Sequence, residues 1–257
     1  MIIPLDVIMV FFLVMARITG IFIQAPVLSA RSFPAFGKTA LVIWASFVLL
    51  YVIPLNQSLP TSLLGFILAL ILEIGIGYTI GFICNILFLA IQAAGELMDT
   101  QMGLSVASAL DPVFGAQISV IGRTTFMLAL TVFLIFDGHH MILSALNQSF
   151  TVLPAGKVPN FASPDLMMQM ISLGSALWLS AVKLASPIIL MIFLTDFAFG
   201  IVSRVAPQVN VFQLGFQLKP VVGLFGISLV APFLVRYISK LIEVIGFELI
   251  KFLQFIK

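Results

Sequence analysis

An all-α membrane protein, built from long, kinked apolar helices and hairpins, is the fold class this sequence predicts, and three observations carry it. Apolar residues fill 61% of the 257 positions and charged residues only 9%, against roughly 45–50% and about 25% in soluble domains. The apolar residues come in runs, not in the alternating segments of about ten residues that build a membrane β-barrel. In lipid the remaining way to satisfy every backbone N–H and C=O is a helix. Third, the charges gather between the runs and mark their boundaries. A mean hydropathy of +1.23 and a net charge of only +2 exclude a soluble globular enzyme as the default. They also exclude a nucleic-acid binder with a clustered basic face and a disordered chain.

The first run, Val7–Leu28, is interrupted by Arg17. It has no positive region before it and no Ala-x-Ala site after it, so it reads as a retained segment rather than a cleaved signal. A polar turn around Arg31, Pro34 and Lys38 leads to the uncharged run Thr39–Leu55. Pro54 to Pro60 is a turn-rich connection. Ser62–Ala94 holds one charge, Glu73, and its later part, Ile74–Gly95, is 22 uncharged residues, where about 20 suffice to span a bilayer. From Gly95 to Gly122 the texture turns to Gly, Ala and Ser, with Glu96, Asp99 and Asp111. Thr124–Phe136 follows, and Asp137-Gly138-His139-His140 ends or bends it. Residues 147–165, with Pro154, Gly156, Pro159 and Pro164, read as an exposed loop. Leu166–Gly200 contains Lys183, Pro187 and Asp196. Arg204–Pro220 reads as a second connection, Val221–Val235 as the last run, and Arg236–Lys257 as a basic amphipathic tail.

Six plain spans fit this pattern poorly. Thr124–Phe136 has 13 residues and Val221–Val235 has 15, short of the usual 20 or so. Arg17, Lys183 and Asp196 sit inside apolar stretches, where a lipid-facing charge costs at least about 2.5–3.5 kcal/mol. Pro187 and Pro232 each remove a helical hydrogen bond and favour a kink. The positive-inside rule places Arg31, Lys38, Arg204 and Lys219 in the cytoplasm, yet the tail, with Arg236, Lys240, Lys251 and Lys257, prefers the same side. Six spans cannot satisfy both. Apolar faces that meet other subunits rather than acyl chains account for the pattern.

Several residues are candidates for function. Gln92, Glu96 and Asp99 follow i, i+4, i+7 spacing and share one helical face. That face lines water or meets a partner, unless the helix has simply left the membrane there. Leu104 to Gln117 is rich in small residues, and Asp111-Pro112 disfavours a continuous helix. Non-helical backbone at membrane depth survives inside protein or beside a water cavity, so this stretch is a pore plug or an ordinary interhelical loop. Gly77 and Gly81 form a GxxxG pattern that lets helices approach closely. Met98 and Met102, one turn apart, are flexible gasket candidates or apolar filler. His139 and His140 point about 100° apart on a helix with no third ligand evident, so no metal site is predicted. Glu73, Lys183 and Asp196 form a proton path or structural pairs. Cys84, in an uncharged stretch, is a small inert hydrophobe. No nucleophile elbow or phosphate-binding Gly-Lys motif occurs, so neither an enzyme nor a cofactor is predicted.

The order of several blocks then identifies a resemblance. Arg17 and Gly20 in the opening segment, Ala25-Pro26-Val27, Glu96-Leu97-Met98-Asp99-Thr100-Gln101-Met102-Gly103 and Asp111-Pro112 come first. Asp137-Gly138-His139-His140 and Ala206-Pro207-Gln208-Val209-Asn210-Val211-Phe212, with Gly215-Phe216-Gln217-Leu218-Lys219-Pro220, follow. Over essentially its whole length the chain resembles the FliR family, the R-components of the flagellar type III protein export gate and their virulence counterparts. That resemblance implies a hetero-oligomeric helical gate in the bacterial inner membrane, within the flagellar basal body. Its implied partners are P-type and Q-type subunits (FliP, FliQ), a B-type switch subunit (FlhB) and the unfolded flagellar proteins that pass through. It implies that residues 1–164 are P-subunit-like, with a plug loop at 104–121, and that 165–257 form a Q-subunit-like hairpin. The plug then comprises Leu104, Ser105, Val106, Leu110, Asp111, Pro112, Val113, Phe114 and Gly115, with Phe114 the bulkiest stopper. Arg204, Gln208, Asn210, Phe212 and Lys219 face the cytoplasmic mouth. Two rivals stand beside this reading. One is a small-solute secondary transporter with helices broken around Glu96, Asp99 and Lys183; the other is an assembly factor that lines no pore.

Overall fold

The computed structural model describes residues 4–26, 28–29, 34–53, 59–105 and 119–256, and among these every regular element is a helix. Seven helices have both ends among the described residues: α1 (Leu5–Gln24), α2 (Ala35–Val52), α3 (Leu63–Met102), α4 (Val120–Ile135), α5 (Gly138–Val152), α6 (Pro164–Val205) and α7 (Val211–Phe255). Five are long and apolar enough to cross a membrane, or six if the bent pair α4 and α5 counts as one span. The chain is therefore an all-α membrane protein.

Proline sets several of the boundaries. Pro4 and Pro34 stand immediately before α1 and α2, where a missing N–H costs nothing because the first turn leaves its donors unpaired anyway. Ala25 and Ile53, the residues after α1 and α2, are extended, with ψ of 135° at each; each precedes a proline, whose ring disfavours the helical conformation there. Pro164 opens α6. The turn from α4 to α5 is made by Asp137, the one described non-glycine residue with positive φ (56°).

Three segment boundaries differ from those the sequence predicts. Residues 147–152 are the last turns of α5 rather than loop, and the linker after them is not exposed throughout, since Leu153, Ala155 and Pro159 are buried. Only residues 206–210 separate α6 from α7, so most of the expected connection Arg204–Pro220 is helical. The short run Val221–Val235 and the basic tail are parts of one 45-residue helix. Pro187, Pro220 and Pro232 all lie inside helices that continue past them. With 40, 42 and 45 residues, α3, α6 and α7 are each about 60–68 Å long at 1.5 Å per residue, twice the roughly 30 Å of bilayer hydrocarbon.

The chain groups into two compact units, and each draws on residues from both sides of position 164. The first comprises residues 1–87, 134–174 and 242–257. Within it α1 and α3 run parallel with their backbones in contact. A Cβ on Gly77 would overlap the carbonyl oxygen of Arg17, and one on Gly20 would overlap that of Ile74. A Cβ on Gly81 would stand 3.0 Å from the Ala25 nitrogen. The Phe11 and Phe47 rings meet between α1 and α2, their centres 4.7 Å apart and their planes tilted by 43°. Near the chain end, Gln169 donates to the Glu248 carboxylate at 2.9 Å, joining α6 to α7.

The second unit comprises residues 88–133 and 175–241. Here α3 and α4 run antiparallel: Phe88 meets Phe126, Thr125 donates to the Ile91 carbonyl, and Gly95 lies against Gly122 so closely that a Cβ would overlap its Cα. The α6–α7 pair is also antiparallel, with Met191 beside Gly226, Asp196 beside Lys219 and Phe199 beside Gly215. In both units glycine is what lets the backbones touch. In a membrane that proximity is the main source of helix association, because lipid is as apolar as the side chains it would replace.

Candidate functional site

In the first unit, a buried polar cluster is built on Arg17. Its side chain is fully buried, so every donor needs a partner. Nε meets the Glu73 carboxylate at 2.5 Å, one terminal nitrogen donates to Ser149 Oγ at 2.9 Å, and the other donates to the Leu153 carbonyl at 3.0 Å. The guanidinium carbon lies 3.9 Å from the centre of the Phe150 ring, a cation–π contact. The second oxygen of Glu73 accepts the Gly156 N–H at 2.9 Å. Helices α1, α3 and α5 and the linker after α5 therefore converge on one ion pair. Sequence reasoning grouped Glu73 with Lys183 and Asp196 instead. The structure pairs Glu73 with Arg17 and Asp196 with Lys219 (2.6 Å), and leaves Lys183 exposed. The missed signal was that two lone charges in separate apolar runs must find each other.

In the second unit, α3 ends on Gly103, whose φ of 80° is the left-handed conformation that glycine adopts freely at a helix C-terminus. Four residues earlier stands Asp99, 3% exposed. Its carboxylate accepts the Ile121 N–H at 3.2 Å and the Ser119 hydroxyl. Ser119 is the N-cap of α4, since its Oγ accepts the Gly122 N–H at 2.7 Å. Asp99 thus ties the end of α3 to the start of α4, on either side of residues 106–118. Of the plug candidates, Leu104 and Ser105 are half-buried; Val106, Leu110, Asp111, Pro112, Val113, Phe114 and Gly115 lie outside the described residues.

The structure separates the three polar candidates on α3. Gln92 and Glu96 are exposed and bonded to each other at 3.0 Å, whereas Asp99 is buried under α4. Met98 and Met102 are buried as well, and Met102 lies against Gly223 of α7 closely enough that a Cβ there would overlap it. Replacing Asp99 with alanine leaves the Ile121 N–H and the Ser119 hydroxyl unpaired, at about 1–3 kcal/mol for a buried donor. A lower melting midpoint of the full chain in detergent is the expected result, read by a fluorescence melt; an unchanged midpoint would show the tie to be dispensable.

Around the α6–α7 turn, Arg204, Gln208, Asn210 and Phe212 are exposed. Asn210 caps α7, its side-chain oxygen accepting the Gln213 N–H at 3.2 Å. Lys219, in its pair with Asp196, borders a cleft that Thr100, Gln101, Phe212 and Phe216 also line. At the α4–α5 bend, Asp137 reaches His140 Nδ1 at 3.2 Å and His139 Nε2 at 4.0 Å, so the third side chain that spacing did not reveal is present. Helices α3 and α6 run unbroken past Glu96, Asp99 and Lys183. Among the described residues no helix is broken at these three positions, which does not favour the transporter alternative.

The chain is similar to known proteins over most of its length. Residues 8–245 match the family described as bacterial export proteins, family 1. The flagellar biosynthetic protein FliR of Escherichia coli (strain K12) is 32% identical over 240 residues, which is 92% of this chain and 91% of that protein. FliR of Bacillus subtilis (strain 168) is 31% identical over 216 residues, 84% and 83% of the two chains. The surface presentation of antigens protein SpaR of Shigella flexneri is 28% identical over 153 residues, 60% of this chain and 58% of that one.

Proposed function

Because the chain belongs to the bacterial export proteins, family 1, and is a subunit of the type III export apparatus, we propose that it is a non-enzymatic structural and gating subunit of the flagellar export channel. It acts in the bacterial inner membrane, within the basal body. The stretch between the end of α3 and the start of α4, within 104–121, plugs the pore; Met98 and Met102, packed inside the chain, form a deformable seat at its root, Gln92 and Glu96 make the exposed polar face beside it, and Asp99 anchors it. P-type and Q-type subunits pack around the chain, residues 1–164 standing in a P-like place and 165–257 in a Q-like one. The B-type switch subunit meets the exposed turn of Arg204, Gln208, Asn210 and Phe212, with Lys219 at its edge.

The observation that carries this reading is the Asp99 tie. A plug must be anchored at both ends yet free to yield between them, and the hydrogen bonds from Ile121 and Ser119 to Asp99 hold the two roots together. Two further features support the partners. Helices twice as long as a bilayer is thick cannot be covered by lipid alone. Large apolar side chains such as Trp44, Phe197, Phe225 and Phe247 are exposed on α2, α6 and α7, and where these helices outrun the bilayer such side chains need other subunits to cover them.

Deleting residues 105–116 from the intact complex spares Asp99 and Ser119. Assembly should persist, measured by co-purification of the P- and Q-type subunits, while membrane vesicles become leaky to small ions, measured by collapse of an imposed potassium gradient. A correctly assembled complex that stays tight would refute the plug.

A further inference from the structure

The α4–α5 bend has features that neither the export function nor the packing requires. Asp137 stands at the N-cap of α5, where a carboxylate ordinarily accepts an N–H from the first turn, yet its side chain makes no capping bond. Its left-handed backbone, φ 56°, is one that aspartate adopts several-fold more readily than most residues. The carboxylate is turned to two imidazoles: Oδ1 lies 3.2 Å from His140 Nδ1 and 4.0 Å from His139 Nε2. One donor atom from each of the three residues falls within 4.8 Å of the others. Zinc bonds of about 2.0–2.1 Å to nitrogen and oxygen in a tetrahedron place neighbouring donors about 3.3 Å apart. The three side chains are exposed and so are free to turn toward a common ion.

We propose that Asp137, His139 and His140 form a binding site for a first-row divalent transition metal of the zinc class. Two imidazoles and one carboxylate suit zinc, cobalt or nickel rather than magnesium or calcium, which prefer all-oxygen sets. With three protein ligands the fourth position stays open to water or to a side chain of a neighbouring subunit. The partial positive charge of a helix N-terminus opposes a cation, and the Asp137 carboxylate offsets it. A cation held here would fasten the hinge residue to the first turn of α5, because its ligands come from those two places. This site is independent of the plug.

The chain is well suited to the test. It contains only two histidines, both in this cluster, and one cysteine, which is buried. The full-length protein, purified through a tag without histidine, should retain about one Zn²⁺ per chain after desalting, measured by elemental analysis. Co²⁺ should give the visible absorption of a four-coordinate site. His140→Ala should abolish retention, and Asp137→Ala should weaken affinity about tenfold or more, with helical circular dichroism unchanged in both because the side chains are exposed. Failure of the unaltered chain to retain zinc would overturn the proposal, as would binding indifferent to Asp137→Ala, the mark of an ordinary histidine pair. Mg²⁺ displacing Zn²⁺ at equal concentration would overturn the assigned metal class.

Discussion

Glu73→Ala is expected to cost about 3–5 kcal/mol, the penalty for leaving a buried charge without its partner. Arg17 has no route to water: it is enclosed by α1, α3, α5 and the Leu153 carbonyl. The alanine also strands the Gly156 N–H. The full chain should accumulate poorly in membranes, and what is recovered in detergent should melt at a clearly lower temperature. The double variant Arg17→Leu, Glu73→Leu should regain part of the loss, since an apolar pair of similar volume is often no worse than a buried ion pair. It should not regain all of it, because the Leu153 carbonyl and the Gly156 N–H lose their partners and Ser149 Oγ, still donating to the Leu146 carbonyl, loses the bond it accepted. A single variant as stable as the parent would show that the cluster contributes no net stability.

Gly77→Leu is expected to be comparably severe for a different reason. A Cβ at this position would overlap the Arg17 carbonyl oxygen and press on the Ile21 nitrogen. Both are backbone atoms of α1 that cannot rotate away. Overpacking usually costs 1–3 kcal/mol or so when side chains can yield; here the two helices must separate, which also stretches the Arg17–Glu73 pair beside them. Co-purification of partner subunits and the melting midpoint should both fall. Gly174 is the internal comparison, since a Cβ added there would meet nothing within 4 Å. Gly174→Leu should be neutral or slightly stabilising through helix propensity. Equal behaviour of the two variants would show that the contact of α1 with α3 is not tight.

The fold was legible where one local property decides it. The apolar runs announced helices, although α1, α2 and α6 begin two to four residues before the runs at Val7, Thr39 and Leu166, at or just after Pro4, Pro34 and Pro164. Legibility ended where a proline stops being a breaker. Pro220 looked like the end of a connection, yet α7 runs through it, because the rest of a long helix remains hydrogen-bonded around one lost donor and lipid or protein forbids the alternative. The cluster on Arg17 was half visible. Its charges had to be paired, but the pairing with Glu73 spans 56 positions, which no periodicity reaches. Gln92, Glu96 and Asp99 share a face by spacing; that α4 covers only Asp99 is a tertiary fact. The histidine pair lacked a third ligand only because a side chain two residues upstream gains its direction from a backbone turn that spacing does not encode.

The length of α3, α6 and α7 bears on how the protein comes to exist at all. A translocating ribosome can deliver each helix to a bilayer that shelters about half of it, so a newly made copy emerges with greasy flanks in water. Such a copy is an orphan, prone to clumping and to membrane proteases, until companions arrive. Its abundance in the cell should therefore follow that of its companions rather than its own rate of synthesis.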